Sequence, residues 1–99
     1  MHRRSDLGQI LRQICDHVYF QPPANVSMTY PAIRYERARI DNTSANNSTY
    51  MQNVAYTVTV IDKDPDSEIV RKVSQLPMCR FNRHYAADNL NHDVFLIYH

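Results

Sequence analysis

An alternating strand, an acidic turn and a short helix, together spanning residues 50–76, constrain the fold of this chain more than any other feature. In the nine residues VAYTVTVID, which begin at Val54, the first seven alternate between larger apolar side chains and small or hydroxyl-bearing ones. This period of two, rich in β-branched residues, predicts a strand with one dry face. We expect Tyr56, Val58 and Val60 on the dry face and Ala55, Thr57 and Thr59 on the other.

The strand is predicted to end in the acidic turn DKDPD at residues 62–66, because Pro65 lacks an amide donor and disfavours a helical residue before it. Ser67 then suits a helix N-cap, and Glu68 lies where the helix dipole favours an acid. The sequence therefore predicts a second helix that ends before Pro77. Its apolar residues recur at helical spacing on one side: Ile69, Val70, Val73 and Leu76.

The rest of the chain predicts one more helix and four more strands. A helix should begin at Ser5 and end near Cys15 or Asp16, although Gly8 weakens it by about 1 kcal/mol relative to alanine. The last strand is a continuous apolar run, so we place it inside the sheet with both faces covered. The further strands are predicted at residues 17–20, 30–36, 78–85 and 92–99, with a turn at 86–91.

The predicted order of elements, α-β-β-β-α-β-β, indicates an α+β fold. We expect an antiparallel or mixed sheet of about five strands, with both helices on one face. With 99 residues, the chain is long enough for a single domain, residues 1–99, and for one core.

The strand that begins near Tyr30 is predicted to leave the body of the sheet. Ile33 and Tyr35 should face one way and Arg34 and Glu36 the other, after which charged residues replace the apolar ones. Residues 42–49, NTSANNST, are polar except for one alanine and predict a mobile loop. We therefore expect a long protruding β-hairpin whose arm spans residues 36–53. Residues 39–50 should be disordered in an isolated subunit and ordered in an assembly.

Composition excludes several functional classes. The single glycine excludes glycine-rich phosphate loops and dinucleotide fingerprints, which need several glycines close to phosphate. A net charge of +1 gives no general electrostatic case for nucleic-acid binding, and no apolar run is long enough to span a membrane. Cys15 and Cys79 lack metal or redox spacing, so we expect free, buried thiols.

Four acids in seven residues resemble a calcium-binding loop in composition only. An EF-hand loop needs glycine at its sixth position and glutamate at its twelfth, where this chain has Ser67 and Val73. A turn and a helix N-terminus explain the acids without an ion. The alternative is a contact patch for a basic partner, formed by Asp62, Asp64, Asp66 and Glu68.

No other cluster of residues predicts chemistry at a site. His84, His92 and Asp93, with Cys79, are metal ligands by type, but their spacing matches no closed zinc pattern. No strained nucleophile turn is present, and Gly8 is the only glycine that could form one. We therefore expect no enzyme activity, no catalytic or metal-binding residue and no cofactor.

The arginines on the predicted arm suggest two alternatives. One is a solvated strand face with weak cross-strand ion pairs; the other is an arm that presents charge and backbone edges to a partner protein. On the second interpretation, the predicted interface comprises Arg34, Arg37, Arg39, Asp41, Asn42, Tyr50 and Gln52.

Several segments of the chain resemble the small tail-terminator, or tail-completion, proteins of long-tailed bacteriophages. The more specific ones are YPAIRY at residues 30–35 and YTVTVIDKDPDS at residues 56–67. The others are VYFQPP at residues 18–23, LPMC at residues 76–79 and DNLNHD at residues 88–93.

This resemblance implies a structural virion protein, present in the host cytoplasm during assembly and later in the tail or neck. Such a protein would form a homo-oligomeric ring, a hexamer, that caps the head-proximal end of the tail tube and stops its growth. Its partners would be the tail tube protein and a neck or head-closure protein, with genomic DNA passing through the lumen without sequence readout and no contact with a membrane. Two alternatives stay open: a head-closure or adaptor protein of the neck, and a small monomeric host-directed binding protein.

Overall fold

The computed structural model describes residues 4–23, 27–45 and 49–99 of the chain. The element order is α-β-β-β-α-β-β, an α+β fold with two helices and a five-stranded mixed sheet, as the sequence predicts. The helices are α1 (Arg4–Ile14) and α2 (Glu68–Ser74). The strands are β1 (Val18–Phe20), β2 (Ala32–Ala45), β3 (Thr49–Asp62), β4 (Cys79–Ala87) and β5 (Leu90–Tyr98).

The strands lie in the order β1-β2-β3-β5-β4. β1 pairs parallel with β2, and every other neighbouring pair is antiparallel. β5 therefore lies between β3 and β4, which confirms the expectation that the last apolar strand is internal. β1 and β4 form the two outer edges of the sheet.

One face of the sheet carries both helices and the main hydrophobic core. Cross-strand register places Val58 of β3 between Tyr35 of β2 and Phe95 of β5, and all three are at most 3% exposed. Residues that face each other across neighbouring strands share a face of the sheet, so the predicted dry face is confirmed. The core combines Leu7 and Leu11 of α1 and Val73 of α2 with Ile33, Tyr35, Tyr56, Val58, Val60, Phe95 and Ile97.

The opposite face of β3 is also shielded, and the prediction of a single dry face is wrong in this respect. Ala55 is fully buried and Thr59 is 7% exposed. Thr59 lies between Arg34 of β2 and Val94 of β5 in the register. Neighbouring strands on both sides limit solvent access to an internal strand, and long arginine side chains can extend that cover.

The predicted mobile loop at residues 42–49 is wrong for most of its length. Residues 42–45 continue β2 and Thr49 begins β3, with Ala45 opposite Thr49 in an antiparallel register. A β-ladder is built from backbone hydrogen bonds, so a polar sequence with no core to contact can still form one. The predicted loop at residues 46–48 lies outside the described residues.

The junction between β3 and α2 confirms the predicted cap. Ser67 Oγ accepts a hydrogen bond from the Ile69 amide at 3.2 Å, and Ser67 is 7% exposed. The helix then ends at Ser74, before the predicted stop at Pro77. The turn before β5 is tighter than predicted, because Asp88 and Asn89 alone connect the strands with φ values of 54° and 62°.

Candidate interaction surfaces

The β2–β3 hairpin extends beyond the rest of the sheet as an arm. β1 pairs with β2 only at residues 33–35, and β5 pairs with β3 from Ala55 to Asp62. Beyond that point, residues 40–45 and 49–54 pair in register with each other, and the His99 amide donates to the Val54 carbonyl at 3.0 Å. The molecule is accordingly elongated, with dimensions of 51 × 26 × 23 Å.

A β-bulge at the base of the arm separates the three arginines of the predicted interface. Arg37 lies opposite Tyr56, but Arg39 lies opposite Ala55, because the register shifts between these two positions. Arg37 is therefore on the helix-bearing face, whereas Arg39 shares the opposite face with Arg34. The sequence predicts one extended charged segment, and it could not show that a bulge divides the segment between two faces.

Arg39 connects the base of the arm to the last strand. Its guanidinium donates a hydrogen bond to the Tyr98 hydroxyl and lies 5.7 Å from the centre of the Tyr98 ring. A cation over an aromatic ring at this distance is a favourable contact. Arg39 thus has an intramolecular role at the base of the arm, in addition to any role at an interface.

The other predicted interface residues are placed by their backbone positions in the arm. In the register, Asp41 lies opposite Asn53, Asn42 opposite Gln52, and Tyr50 opposite Ser44. The structure therefore brings Asn42 and Gln52 together as direct cross-strand neighbours. Whether any of them contacts a partner stays a prediction.

Two carboxylates of the acidic turn accept hydrogen bonds from backbone amides of the same turn. Asp62 Oδ1 accepts a hydrogen bond from the Asp64 amide at 3.0 Å, and Asp64 Oδ1 accepts one from the Asp66 amide at 2.9 Å. Glu68 pairs with Arg71 at 2.6 Å on the exposed surface of α2. These contacts match the turn-and-helix interpretation, and the turn lies at the end of β3 opposite the arm.

The histidine and acid cluster divides between the two faces of the sheet. His84 Nδ1 lies 2.8 Å from Asp93 Oδ1. The next pair along the ladder, Tyr85 and His92, stacks with ring centres 4.6 Å apart, so it lies on the other face. Among residues 4–23, 27–45 and 49–99, no group of three or more histidine, cysteine or acidic side chains is arranged to hold a metal ion.

Both cysteines are free thiols in protected surroundings. Burial raises the pKa of the Cys15 thiol and of the Cys79 thiol above their ordinary value of 9.0. Cys15 Sγ also donates a weak hydrogen bond to the Pro31 carbonyl at 3.5 Å. Cys15 is buried as expected, whereas Cys79 is only half-buried.

Sequence reasoning missed the outer edge of β4 as a candidate interaction surface. Every residue of this strand after Cys79 is exposed, because β4 has β5 as a neighbour on one side and no described strand on the other. Phe81 packs edge-on against Phe95 at 5.6 Å, yet Phe81 is 58% exposed. The irregular alternation of CRFNRHYAA was the available sequence signal of an edge strand. The structure adds a bulge between Phe81 and Arg83, a feature typical of sheet edges.

Comparison with known proteins adds no assignment to these surfaces. No protein-family model matches the chain, and no curated protein matches it. Among the described helices, none combines the length and apolar character that a membrane span requires.

Proposed function

We propose that this chain is the subunit of a homohexameric ring that caps the head-proximal end of a bacteriophage tail tube. The ring would stop tube polymerisation and provide the surface that joins the tail to the neck. The observation that carries the proposal is the arm, in which residues 40–45 and 49–54 extend past both neighbouring strands. A two-stranded ribbon has little stability in water, so a surface that receives it would stabilise it.

The distribution of charge supports contact between unlike surfaces of neighbouring subunits. Arg37 and Arg39 lie at the base of the arm, and the turn with Asp64 and Asp66 lies at the other end of β3. A closed ring uses heterologous contacts, in which one surface of a subunit meets a different surface of the next. Opposite charges at these two separate surfaces favour a contact between unlike surfaces over a contact between like ones.

The remaining parts of the proposal come from the resemblance to tail-terminator proteins. The tail tube protein would bind one side of the ring, and a neck or head-closure protein the other. Genomic DNA would pass through the lumen without sequence readout. The protein would act as a structural component of the virion and catalyse no reaction.

The proposal is tested by mixing the purified chain with a polymerising tail tube protein from the same phage and imaging the tubes by electron microscopy. We expect six-fold rings at one end of tubes whose growth has stopped. Deletion of residues 43–49 should remove the rings, because it removes most of the arm's outer half. A variant with the same seven residues in scrambled order keeps the length and composition and serves as the matched control.

Three results would count against this function. Tubes that grow equally long with and without the chain would remove the capping role. A ring that binds only the head-side partner would favour the head-closure alternative. A monomer absent from tubes and from particles would favour a host-directed binding protein.

A further inference from the structure

Two strand edges that have no described strand partner point toward the same side of the sheet. One is the outer edge of β4, whose residues after Cys79 are exposed. The other is the part of β3 in the arm, residues 49–53, which lies beyond the end of β5. Because the strand order is β1-β2-β3-β5-β4, this segment of β3 faces the side on which β5 and β4 lie.

The space beside the arm is two strands wide. β5 extends along β3 as far as the contact between His99 and Val54, and β4 lies one strand further out. Next to residues 49–53, the positions in line with β5 and β4 contain no described strand of this chain. At about 4.8 Å per strand, this space is about 10 Å wide.

We propose that a second copy of the chain fills this space by reciprocal strand addition. A rotation of 180° about an axis normal to the sheet places the second copy's β4 beside residues 49–53 and its β5 in the next position outward. The same rotation places the second copy's arm beside β4 of the first. The two-strand width of the space equals the width of the β5–β4 pair that enters it. Because the rotation is two-fold, both arms and both β4 edges gain a strand partner together.

The strand directions permit a regular ladder at both contacts. β3 and β4 run in the same direction within one copy, because each is antiparallel to β5. The two-fold rotation reverses the second copy's β4, so it meets β3 of the first copy in an antiparallel orientation. An antiparallel ladder satisfies backbone groups on both strands without demanding particular side chains.

Charge favours this pairing over a contact between two β4 edges. Arg80 and Arg83 lie on β4, which contains no acidic residue, so pairing two β4 edges would bring like charges together. The outer edge of β2 differs, because Arg37 and Arg39 lie there between Glu36 and Asp41. Residues 49–53, TYMQN, contain no charged residue.

The arrangement also gives a partner to apolar side chains at the β4 edge. Phe81 is 58% exposed and Met78, just before the strand, is 69% exposed. A strand added at this edge would cover part of both side chains. Exposed apolar residues along an unpaired strand edge are typical of a surface that receives another strand.

This inference goes beyond the proposed function, because it concerns the chain when no tube end is present. The dimer would occupy both arms and would therefore keep subunits from assembling away from the tail. Ring assembly would then require exchange of the dimer contacts for contacts with the tube and with neighbouring subunits.

The test is sedimentation of the intact chain over a range of concentrations, beside a variant without the arm. In that variant, Asn-Gly replaces residues 41–53 and joins Ile40 to Val54, which are cross-strand neighbours and suit a two-residue turn. We expect dimers of the intact chain and at least ~100-fold weaker association of the armless variant, from the loss of several backbone hydrogen bonds. The scrambled variant of residues 43–49 should still dimerise.

Hydrogen exchange supplies the second measurement. Amides of β4 should exchange more slowly in the dimer than in the armless variant, although residues 79–87 are unchanged between them. Equal exchange in β4, or a purely monomeric intact chain, would overturn the dimer. Hexamers without dimers would also overturn the dimer, while supporting the ring. Dimers that fail to cap tubes would support the dimer and refute the proposed function.

Discussion

Gly8 offers a sharp test of how α1 packs on the sheet. Helix propensity alone predicts that Gly8→Ala stabilises the protein by about 1 kcal/mol, because alanine restricts the unfolded chain and favours helix. The structure predicts instead that this gain is cancelled or outweighed. A Cβ atom at position 8 would lie 2.7 Å from the Tyr35 hydroxyl oxygen, closer than non-bonded atoms approach.

The Tyr35 ring has little room to move away from that contact. It is 3% exposed, and it packs against Phe20 at 4.9 Å and Tyr56 at 6.3 Å between ring centres. Overpacking of a buried site costs about 1–3 kcal/mol, which exceeds or cancels the gain in helix propensity. We therefore expect Gly8→Ala to lower the free energy of unfolding by about 0–2 kcal/mol.

Removing the hydroxyl should reverse the effect. In a Tyr35→Phe background the hydroxyl is absent. The nearest ring atom to the new Cβ is then the Cζ atom of residue 35, which lies at 3.7 Å in the present structure, an ordinary contact distance. Gly8→Ala should then stabilise the protein by about 1 kcal/mol. The free energy of unfolding in urea, followed by circular dichroism, gives the four values of the double-mutant cycle. An equal effect of Gly8→Ala in both backgrounds would refute the proposed close approach.

Three further measurements test the core, the helix cap and a buried thiol. Val58→Asp should abolish cooperative unfolding, since it buries an unpaired charge at a cost of several kcal/mol. The control, Ile40→Asp, changes a residue that is 44% exposed and should fold. A folded Val58→Asp variant would show that the facing of β3 is wrong. Ser67→Ala should lower the free energy of unfolding by about 1 kcal/mol, and no change in urea denaturation would mean that the cap contributes nothing. Burial raises the pKa of the Cys15 thiol above its ordinary value of 9.0. Alkylation of Cys15, followed by mass spectrometry, should therefore reach half its maximal rate at a higher pH in the folded protein than in urea. Coinciding pH profiles of the alkylation rate would contradict this.

The alternation in β3 predicted one facing of the strand but not its full environment. Tyr56, Val58 and Val60 are on the helix-bearing face, as their pattern indicates. Ala55 and Thr59 are also buried, although small and hydroxyl-bearing residues are typical of a solvated face. Their burial depends on neighbours in β2 and β5, which are distant in sequence, so a local pattern cannot predict it.

The arm shows a different limit of sequence reasoning. Charged residues after Tyr35 correctly predicted that the strand leaves the body of the sheet. The polar run after Asp41 predicted a loop, whereas residues 42–45 form strand. Composition indicates whether a segment can contribute to a core. Pairing across the hairpin depends instead on backbone hydrogen bonds and on the register that β2 and β3 already have in the body of the sheet.

The candidate surfaces were predicted in part. Arg34, Arg37 and Arg39 lie on the predicted strand, yet a bulge directs Arg37 to one face and the other two to the opposite face. A bulge adds one residue to one strand, and nothing in the local sequence RYERAR marks where it falls. The β4 edge was missed because its position depends on β5 entering between β3 and β4.

The internal position of β5 also has a consequence for synthesis on the ribosome. Residues 90–98 provide Phe95 and Ile97 to the core and separate β3 from β4. Until they have left the exit tunnel, β3 and β4 lack the strand that joins them in the sheet, and part of the apolar interior stays exposed. Chaperones that bind extended apolar segments would meet the chain in that interval, and a ribosome stalled before residue 90 should display a protease-sensitive chain.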